Sequence, residues 1–390
     1  MSALEIRPRT ETPRCDYFEA GRCRSCALIE TPYDDQLRAK EGRCRELLAG
    51  VPDRAWLPPV AGGVRDFRNK AKLVVGGRRG GVTLGILGPD GEGVDLRDCL
   101  IQEPGIRAAI PRLAAFLDRT GLPPYDVPRR RGELKFVHVT HAPSGSLMLR
   151  FVVRSERALA RLRQALPELR AALPEARVVS VNLLPEHKAV LEGEREELLV
   201  GSSLTMDVGS ASLHLRPQSF FQTNTGVARA LYAQAAEWVA DVDPASIWDL
   251  YCGVGGFALQ CAAAGSAPRS VLGVELSEAA VRSARRSARE AGIPARFEAA
   301  DATAFALAAA PGELPELVIV NPPRRGIGPD LAGLLESAGG IRHVVYSSCN
   351  PESLARDLAA MPSLSVRAAR VFDMFPHTRH LEVAVLLGRD

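Results

Sequence analysis

The thiol of Cys349 stands directly before the predicted start of a helix. Asn350 is a favourable N-cap residue, and Pro351 is favourable as the first residue of a helix. The free amides and the positive end of the helix dipole favour a thiolate, so we expect the pKa of Cys349 to lie below the ordinary value of about 8.5. The pattern predicts an exposed, activated nucleophile, although a lone cysteine at a strand end is more often a small buried apolar residue.

Two further side chains have the chemistry to move protons. His380 and Glu382 flank Leu381 at the start of the last apolar run, and positions two apart lie on one face of a strand. A strand that begins at His380 would therefore turn both side chains towards the same crevice. We expect Glu382 to be the general base and His380 to orient it, whereas a solvated carboxylate on an edge strand would have the same spacing.

A glycine-rich loop follows the predicted strand that contains Asp249. The run from Cys252 to Ala258 (CGVGGFA) fits G-x-G-x-x-A, in which glycines let the backbone turn tightly and approach a ligand. Glu275 ends the next strand, where a carboxylate can bind ribose hydroxyls. The loop alone is also compatible with a dinucleotide enzyme or with ordinary strand-end turns.

Four polar side chains end or follow predicted strands: Asp249, Glu275, Asp301 and Asn321. Open parallel sheets bind ligands at the carboxyl ends of their strands, so these side chains should converge on one crevice. Two features favour S-adenosylmethionine over a dinucleotide. The loop starts from an aspartate on the strand, and Asn321 begins the sequence Asn-Pro-Pro-Arg.

Residues 209–390 alternate between short apolar runs and helical stretches, which predicts a mostly parallel sheet with helices on both faces. The last two apolar runs have no helix between them and should close the sheet as a hairpin. The predicted strands are Ser246 to Tyr251, Ser270 to Leu276, Ala295 to Ala299, Leu317 to Val320, Arg342 to Tyr346, Ser363 to Phe372 and His380 to Leu387. By analogy of fold, this is the Rossmann-like, seven-stranded α/β layout of S-adenosylmethionine-dependent methyltransferases.

The chain before this region divides in two. Residues 1–55 are predicted to form a cysteine-bearing arm and one helix, from Tyr33 to Ala49. Residues 56–208 contain short alternating runs with turn signals and one helical stretch, Arg157 to Leu173, which predicts an α+β domain. Formal charge is +3, with a basic front half and a mildly acidic remainder. That distribution indicates a polyanion docking at the front, although a solvated surface would look similar.

Three cysteines of the arm have the spacing C-x7-C-x2-C: Cys15, Cys23 and Cys26. Cys99 is available as a fourth ligand. Four thiolates without a nearby histidine suit either tetrahedral zinc or an iron–sulfur cluster, and the spacing does not separate the two. Unligated thiols are the alternative. The remaining cysteines apart from Cys349 are predicted to be structural: Cys44, Cys252 and Cys261.

Composition places the chain among folded, water-soluble proteins. Its 390 residues suffice for two or three domains, and 46% hydrophobic and 24% charged residues are ordinary. No stretch approaches the roughly 18–20 consecutive apolar residues of a membrane span, and Met1 to Arg7 has no apolar signal core. We therefore expect a cytoplasmic protein without a membrane partner or an evident obligate protein partner, whose eight cysteines form no disulfide frame.

A thiolate beside a methyl donor solves a particular chemical problem. The C5 carbon of uracil or cytosine is too weak a nucleophile to attack a sulfonium methyl group directly. Addition of a thiolate to C6 turns C5 into an enolate-like carbon that can attack. A base must then remove the C5 proton so that the thiol can leave. Cys349 and Glu382 would supply these two functions.

These motifs together resemble the RNA (uracil-C5) methyltransferases over nearly the whole chain. The front half is similar to the branch that acts on uridine 747 of 23S rRNA. The resemblance rests on Phe220 to Asn224, Asp249 to Gly255, Asn321 to Gly326, Ser347 to Asn350, Pro376 to Glu382, Cys15 to Cys26, Phe67 to Lys72 and Arg130 to Lys135.

The resemblance implies roles for individual positions. Cys349 would be the nucleophile and Glu382 the base that removes the proton. Tyr251 stands where phenylalanine is common in this branch. Either residue would place an aromatic ring beside the cofactor. Alternatively, Gln222 to Asn224 would form a capping segment for the helix from Gly226, which Gln222 could do without touching a ligand. The implied contacts of S-adenosylmethionine are Gln222, Tyr251, Glu275 and Asn321.

For the front cysteines, the resemblance favours a 4Fe-4S cluster over zinc, with Cys15, Cys23, Cys26 and Cys99 as ligands. We expect the cluster to fix the arm to the central domain and to shape the RNA surface, because methyl transfer is not a redox reaction.

The implied partner is 23S rRNA, whose target uridine must be flipped out or lie in a loop to reach Cys349. Phosphate contacts should weaken steeply with salt. The candidate residues are Arg68, Lys70, Lys72, Arg129, Arg130, Arg131 and Lys135.

Three alternatives remain. The substrate uridine could belong to another rRNA site or to tRNA. An amino-methyltransferase would also carry Asn-Pro-Pro, but that class has an aromatic residue at the position of Arg324. Cys349 would then have no role in the reaction. The third alternative is a non-catalytic, metal-stabilised RNA-binding protein.

Overall fold

The computed structural model describes residues 12–88, 91–265 and 268–389. They form two seven-stranded sheets and a two-stranded hairpin. Met1 to Arg7, where the sequence predicts no signal core, lies outside the described residues. Among the described helices, none combines the length and the apolar character that a membrane crossing needs. The cytoplasmic location stays a prediction.

The arm contains two helices, α1 (Asp16–Glu19) and α2 (Tyr33–Leu47). The second begins where the sequence predicts and ends two residues before the predicted Ala49. Its buried side chains include polar ones, among them Gln36 and Lys40. A helix whose inner face is partly polar must find hydrogen-bond partners where it docks, and these include the segment from Asp373 to His377, between the last two strands of the second sheet.

The first sheet follows the arm and is mainly antiparallel. Its strands lie in the order β3-β2-β1-β4-β5-β6-β7, and within it only β5 and β6 pair in parallel. Two helices connect those two strands, as a parallel crossover requires. The elements in chain order are β1 (Lys70–Arg78), β2 (Gly81–Leu87), β3 (Gly93–Asp95), α3 (Pro104–Thr120), β4 (Leu134–His141), β5 (Leu147–Val153), α4 (Glu156–Gln164), α5 (Leu166–Ala172), β6 (Ala176–Leu183) and β7 (Arg195–Val200).

One face of this sheet packs on its helices. Leu73, Val137 and Leu149 from the strands meet Ile110 and Leu113 from α3 in a common buried cluster. The single helix predicted from Arg157 to Leu173 is two helices. A proline sits in the first turn of α5, where its fixed φ is favourable and its missing amide costs nothing.

The second sheet has the topology that the sequence predicts. Its order is β12-β11-β10-β13-β14-β16-β15. The first five strands are parallel, and β16 is antiparallel to both of its neighbours. The hairpin and this sheet comprise β8 (Leu204–Asp207), β9 (Ser212–Leu215), α6 (Thr225–Val242), β10 (Ser246–Leu250), α7 (Gly256–Ala262), β11 (Ser270–Glu275), α8 (Glu278–Ala291), β12 (Ala295–Ala299), α9 (Ala302–Ala308), β13 (Leu317–Val320), α10 (Gly328–Ser337), β14 (His343–Ser348), α11 (Pro351–Ala359), β15 (Leu364–Phe372) and β16 (Glu382–Arg389).

Separate buried clusters lie against the two faces of the second sheet. The β8–β9 hairpin contributes to one of them through Leu204, Met206 and Leu213. The predicted boundary between residues 208 and 209 falls in the turn of this hairpin. Both of its strands pack with the second sheet, and the predicted division into 1–55, 56–208 and 209–390 stays a prediction.

Candidate active site

Five adjacent parallel strands end at one edge of the second sheet, and the predicted site residues lie there. In spatial order, the strands β12, β11, β10, β13 and β14 are followed or ended by Asp301, Glu275, Tyr251, Asn321 and Cys349. This placement agrees with the rule that open parallel sheets collect ligands at the carboxyl ends of their strands. The residues are up to 100 positions apart in sequence, and the sheet brings them into one row.

Cys349 lies between the end of β14 and the start of α11. Asn350 is the N-cap, and its side chain accepts a hydrogen bond of 3.3 Å from the amide of Glu352. Pro351 occupies the first helical position, as predicted. Asn350 Nδ2 also donates to the carbonyl oxygen of Arg324 at 3.0 Å, which ties the helix start to the loop after β13.

The predicted low pKa of Cys349 is wrong for this state of the protein. Burial raises the pKa of the thiol, and the carboxylate of Glu382 raises it further. The guanidinium of Arg324 acts in the opposite direction, by its charge and by a hydrogen bond. The thiol is half-buried rather than exposed. The helix N-terminus is present as predicted, but the three-dimensional surroundings outweigh it.

Glu382 is the first residue of β16 and is buried, with 2% of its surface exposed. Asn321 Nδ2 donates a hydrogen bond of 3.1 Å to its carboxylate, and the hydroxyl of Ser347 donates another. Burial raises the pKa of Glu382 to about 7, although both hydrogen bonds oppose that rise. A carboxyl group poised near neutral pH suits a general base.

The predicted partnership of His380 with Glu382 is wrong. The strand begins at Glu382, so the alternation of faces does not extend back to position 380. The imidazole is exposed and lies edge-on to Phe375, with ring centroids 6.1 Å apart. It lines the pocket beside Cys349 instead.

That pocket, of about 350 Å³, carries a cationic wall that the sequence analysis missed. Arg43 from α2, Arg324 and Arg379 line it together with Cys349 and His380. Arg324 and Arg379 belong to motifs that the sequence singled out, and their charge next to the thiol was the available signal. Arg43 lies about 300 positions away in sequence and gave no signal. Its guanidinium pairs with Glu352 at the start of α11.

The glycine loop after β10 fits a nucleoside ligand. Asp249 is fully buried, and its Oδ2 accepts a hydrogen bond of 2.9 Å from the amide of Ala258. Its Oδ1 has no partner among the described residues. Gly255 has a φ of +88°, and a Cβ there would lie 3.0 Å from the ring of Phe297. The loop therefore requires glycine for both its conformation and its close packing.

Glu275 and Tyr251 flank this loop. The two carboxylate oxygens of Glu275 accept hydrogen bonds from the amides of Gly253, at 3.1 Å, and Ser277, at 2.9 Å. Each oxygen retains a lone pair that a ribose hydroxyl can use. Tyr251 has a φ of 65°, a conformation that costs energy for a bulky residue. Its hydroxyl lies 2.9 Å from Thr303 Oγ1, so the ring is held in place.

Gln222 is buried beside the beginning of the first sheet. The backbone carbonyl oxygen of Gln222 accepts a hydrogen bond of 2.9 Å from Asn69 Nδ2. The alternative prediction that Gln222 to Asn224 forms a capping segment is confirmed through Asn224, which is the N-cap of α6 and accepts from the amide of Val227 at 3.2 Å. Gln222 itself is not the capping residue.

Helix α2 supports the loop that leads into β16. Lys40 Nζ donates to Asp373 Oδ1 at 2.6 Å, and both side chains are buried. The hydroxyl of Tyr33 donates to the other oxygen of Asp373 at 2.8 Å. Gln36 accepts from the amide of His377 at 2.9 Å. These contacts hold the chain from Asp373 to His377, which immediately precedes the wall of the pocket and Glu382.

The four predicted metal ligands share one small cavity. Cys15, Cys23, Cys26 and Cys99 all line a space of about 200 Å³ between the arm and the first sheet. Burial, and then the neighbouring thiols, raise the pKa of Cys26 to about 12. Within residues 12–88, 91–265 and 268–389, no group of three or more His, Cys, Asp or Glu side chains could hold a single metal ion.

The other three cysteines, Cys44, Cys252 and Cys261, are buried, as predicted for structural thiols.

Two of the seven basic residues predicted to contact phosphates make contacts inside the protein instead of at its surface. Arg68 lines the cysteine cavity and donates to the carbonyl of Lys70 at 3.0 Å. Lys135 is buried and donates to the carbonyl of Glu186. The exposed candidates are Lys72, Arg129, Arg130 and Arg131, with Lys70 half-buried.

The fold and this site define a methyltransferase of the S-adenosylmethionine-dependent class. Residues 314–390 match the family model described as tRNA (Uracil-5-)-methyltransferase, and residues 247–315 match the model described as Methyltransferase domain. The chain belongs to the RlmC family of RNA uracil-C5 methyltransferases, because it is 45–48% identical to members of that family over nearly its whole length.

The chain is 48% identical over 379 residues to the 23S rRNA (uracil(747)-C(5))-methyltransferase RlmC of Halothiobacillus neapolitanus. The alignment covers 96% of this chain and 99% of that relative. The chain is 45% identical over 377 residues to the protein of the same name from Escherichia coli strain 55989, with the same two coverages. Among solved structures, Pyrococcus abyssi tRNA (uracil-54, C5)-methyltransferase with S-adenosyl-L-homocysteine superposes with a TM-score of 0.77 and 25% identity, covering 93% of this chain and 85% of that one. The predicted family is confirmed.

Proposed function

We propose that the protein transfers a methyl group from S-adenosylmethionine to C5 of a uridine in 23S rRNA, uridine 747, through a covalent adduct at C6. The observation that carries this proposal is the pairing of Cys349 with Glu382. Ser348, at the end of β14, is the register partner of Val383, so the antiparallel β16 delivers its first residue to the edge where the thiol lies. The buried carboxylate then lies near enough to the nucleophile for its charge to act on the thiol.

Cys349 opens the reaction. Its thiolate adds to C6 of the uracil ring, and the electron pair of the C5–C6 double bond moves towards the O4 oxygen. Arg324 stabilises the thiolate before the addition, because its charge lowers the pKa that burial and Glu382 raise. The C5 carbon thereby becomes nucleophilic enough to form a bond with an electrophilic methyl group.

Glu382 closes the reaction. After C5 has gained the methyl group, the carboxylate removes the C5 proton, the C5–C6 double bond forms again, and the Sγ–C6 bond breaks with its electron pair returning to sulfur. The carboxylate must be deprotonated to act, and its pKa of about 7 gives a substantial deprotonated fraction at neutral pH. Asn321 and Ser347 hold it in position through their hydrogen bonds.

The cofactor residues fit a nucleoside. S-adenosylmethionine, when bound, supplies the electrophilic methyl group. Glu275 would accept hydrogen bonds from the ribose hydroxyls through the lone pairs that its two amide contacts leave free. The remaining contacts that we assign are Gln222, Tyr251 and Asn321.

The cationic wall of the pocket would bind the phosphates that flank the target uridine. Arg43, Arg324 and Arg379 face the same space as the thiol. Backbone phosphates held there would fix a flipped nucleotide with its ring over Cys349.

A mechanism-based trap tests the proposal. The test uses a transcript of the 23S rRNA segment around uridine 747 with 5-fluorouridine at the target, and the protein with S-adenosylmethionine. Fluorine at C5 cannot leave as a cation, so the adduct should persist as a covalent complex mapped by mass spectrometry to Cys349. Unsubstituted transcript should yield 5-methyluridine. The same assay of 5-methyluridine formation, repeated with a tRNA transcript and with other rRNA segments, shows which RNA is the substrate. An N-methylated product, or binding without methyl transfer, would overturn the proposal.

We also propose that Cys15, Cys23, Cys26 and Cys99 hold a 4Fe-4S cluster. The donor set is four thiolates around one cavity of about 200 Å³. A single zinc ion needs all four sulfurs about 2.3 Å from one point, whereas a cluster accepts thiolates around a larger body. Anaerobic purification followed by iron, sulfide and zinc analysis decides between them. Zinc without sulfide would contradict the cluster, as would iron content unchanged in Cys99→Ser.

A further inference from the structure

A groove of about 450 Å³ lies on the first sheet, away from Cys349. It is bounded by β1, β2, β4 and the segments around residues 125–127 and 187–191. Aromatic rings of Tyr125, Phe136 and His187 line it. Its apolar rim is open to solvent through three large side chains: Leu87, Val190 and Leu191.

The rings of the groove are held by specific contacts. The hydroxyl of Tyr125 lies 2.9 Å from His187 Nδ1. Lys135 Nζ lies 4.7 Å from the centroid of the Tyr125 ring, and its ammonium group donates to the carbonyl of Glu186. Rings that are fixed in this way lose little freedom when a flat ligand stacks on them, which favours binding. Lys188 adds a second cation at the groove.

A basic row borders the groove on the same face of the sheet. Val74 is the register partner of Phe136 in the groove, and two residues earlier Lys72 is the partner of His138, which in turn pairs with Arg150. Residues two apart on a strand share a face. The row is therefore the next one along the strands from the groove.

The row contains side chains without partners. His138 is 2% exposed, and both of its ring nitrogens lack a hydrogen-bond partner within the described residues. Arg150 is paired with Glu192 and Glu196. Lys72 and Lys70 form no direct ion pair in the same part of the chain, and the carboxylate of Glu192 acts on both of them only at longer range. The imidazole nitrogens are buried, so the groups of this row that an external anion can reach are the ammonium groups of the exposed Lys72 and the half-buried Lys70.

Strand β1 connects this row with the active site. Asn69, directly before the strand, donates to the carbonyl of Gln222 at 2.9 Å. From Asn69 to Val74 an extended chain rises about 17 Å at 3.3 Å per residue. An RNA strand that follows β1 from the contact between Asn69 and Gln222 therefore passes both lysines and reaches the groove within about 17 Å.

We propose that this groove binds the base of an unpaired nucleotide of the RNA substrate, whose neighbouring phosphates lie on Lys70 and Lys72. The inference rests on the proposed function and adds a second recognition point to it. Aromatic side chains stack on any base, and the groove volume lies in the range of small-ligand sites. An apolar peptide would fill the groove but would make no use of the positive charge of the two lysines beside it, so RNA is the better match.

Phe136→Leu tests the groove, since it keeps apolar volume and removes the ring. We expect the Kd for the 23S rRNA transcript to rise roughly 5- to 100-fold, as for loss of one base–aromatic stack. The rate of methyl transfer at saturating RNA should stay within about twofold, because the reacting groups are untouched. Leu307→Ser, an exposed apolar residue on α9 outside the groove, is the matched control and should leave the Kd unchanged.

The outcomes separate this inference from the proposed function. Absence of 5-methyluridine with the unchanged protein would refute the proposed function. Normal methylation with an unchanged Kd in Phe136→Leu would refute the groove, and its apolar surface would then be a protein-binding candidate. If Phe136→Leu does not fold, photo-crosslinking of 4-thiouridine-substituted transcript to the unchanged protein replaces it. Adducts on the peptide containing Tyr125 or Phe136 support the groove, and adducts confined to the second sheet refute it.

Discussion

The two seven-stranded sheets of this protein use the same number of strands in different ways. The second sheet is buried on both faces, so side chains with chemical roles sit at the ends of its strands. The first sheet packs helices on one face and places charged and aromatic residues on part of the other. One sheet therefore concentrates chemistry in a row of loop residues, and the other spreads contacts over a surface.

This difference has a consequence for substitution. At the strand ends, side chains have geometrically defined partners, as Glu382 has in Asn321 and Ser347. On the open face, contacts with a flexible polyanion are numerous and individually weak. Single substitutions should be severe in the second sheet and mild in the first.

The largest effect is expected for Cys349→Ala. Methyl transfer should fall by roughly 10⁴-fold or more, because no other group can add to C6. The Kd for the transcript should change little, since the thiol carries no charge that binds phosphate. Measurement of 5-methyluridine formation and RNA binding on the same preparation checks both. Retention of the methyl mark in this variant would remove the covalent mechanism.

Substitution of the base, Glu382→Gln, should lower the rate by about 10²- to 10⁴-fold. The covalent RNA–protein complex should accumulate, because the C5 proton stays in place after methylation. Denaturing gels with labelled RNA detect that complex. A slow variant without an accumulating adduct would assign Glu382 to an earlier step.

The pH dependence sharpens the assignment of the base. Burial places the pKa of Glu382 at about 7, so the deprotonated fraction, and with it the rate, should rise as pH passes from 6 to 8. Ser347→Ala removes a hydrogen bond that lowers this pKa, so the rise should move to higher pH. An unchanged profile in that variant would show that another group limits the rate.

A stability effect is expected where α2 meets the second sheet. Lys40→Met leaves Asp373 buried without its cation, which should cost about 3–5 kcal/mol of unfolding free energy. Arg38→Met on the same helix removes an exposed pair with Asp35 and should cost at most about 1 kcal/mol. Denaturant titration compares the two variants. Equal losses of unfolding free energy in the two variants would mean that the buried pair contributes no more to stability than the exposed pair.

The smallest effect is expected on the open face of the first sheet. Lys72→Ala should weaken transcript binding a few-fold and reduce the salt dependence of log Kd by about one. Arg177→Ala, an exposed cation on the same sheet, is the control and should leave the slope unchanged. A loss in Lys72→Ala as severe as that in Cys349→Ala would break the contrast between the two sheets.

Strand positions in the second sheet were largely predictable because its buried runs are continuous and bounded by helices. The predicted and observed bounds of β12 and β13 coincide. The start of β16 was misplaced by two residues, because the alternation around Leu381 continues upstream into residues that are not strand. His377 has a φ of 63°, and such a turn has no signature in a hydrophobic pattern.

The electrostatics of the site were less predictable than its residues. The helix start at Cys349 is a local feature and follows from Asn350 and Pro351. The pKa of its thiol depends on burial and on Glu382, which lies 33 positions away in sequence and reaches the thiol only through strand pairing. Arg43 and Lys40 reach the site through the docking of α2, a contact for which no local pattern exists.

The insertion of β16 between β14 and β15 also bears on how activity arises during folding. The five parallel strands alone would hold the thiol and the donor loop, but the carboxylate arrives only when the later strand pairs with β14. Under the proposed mechanism, the pairing of β16 with β14 is therefore the folding step that supplies the group for product release.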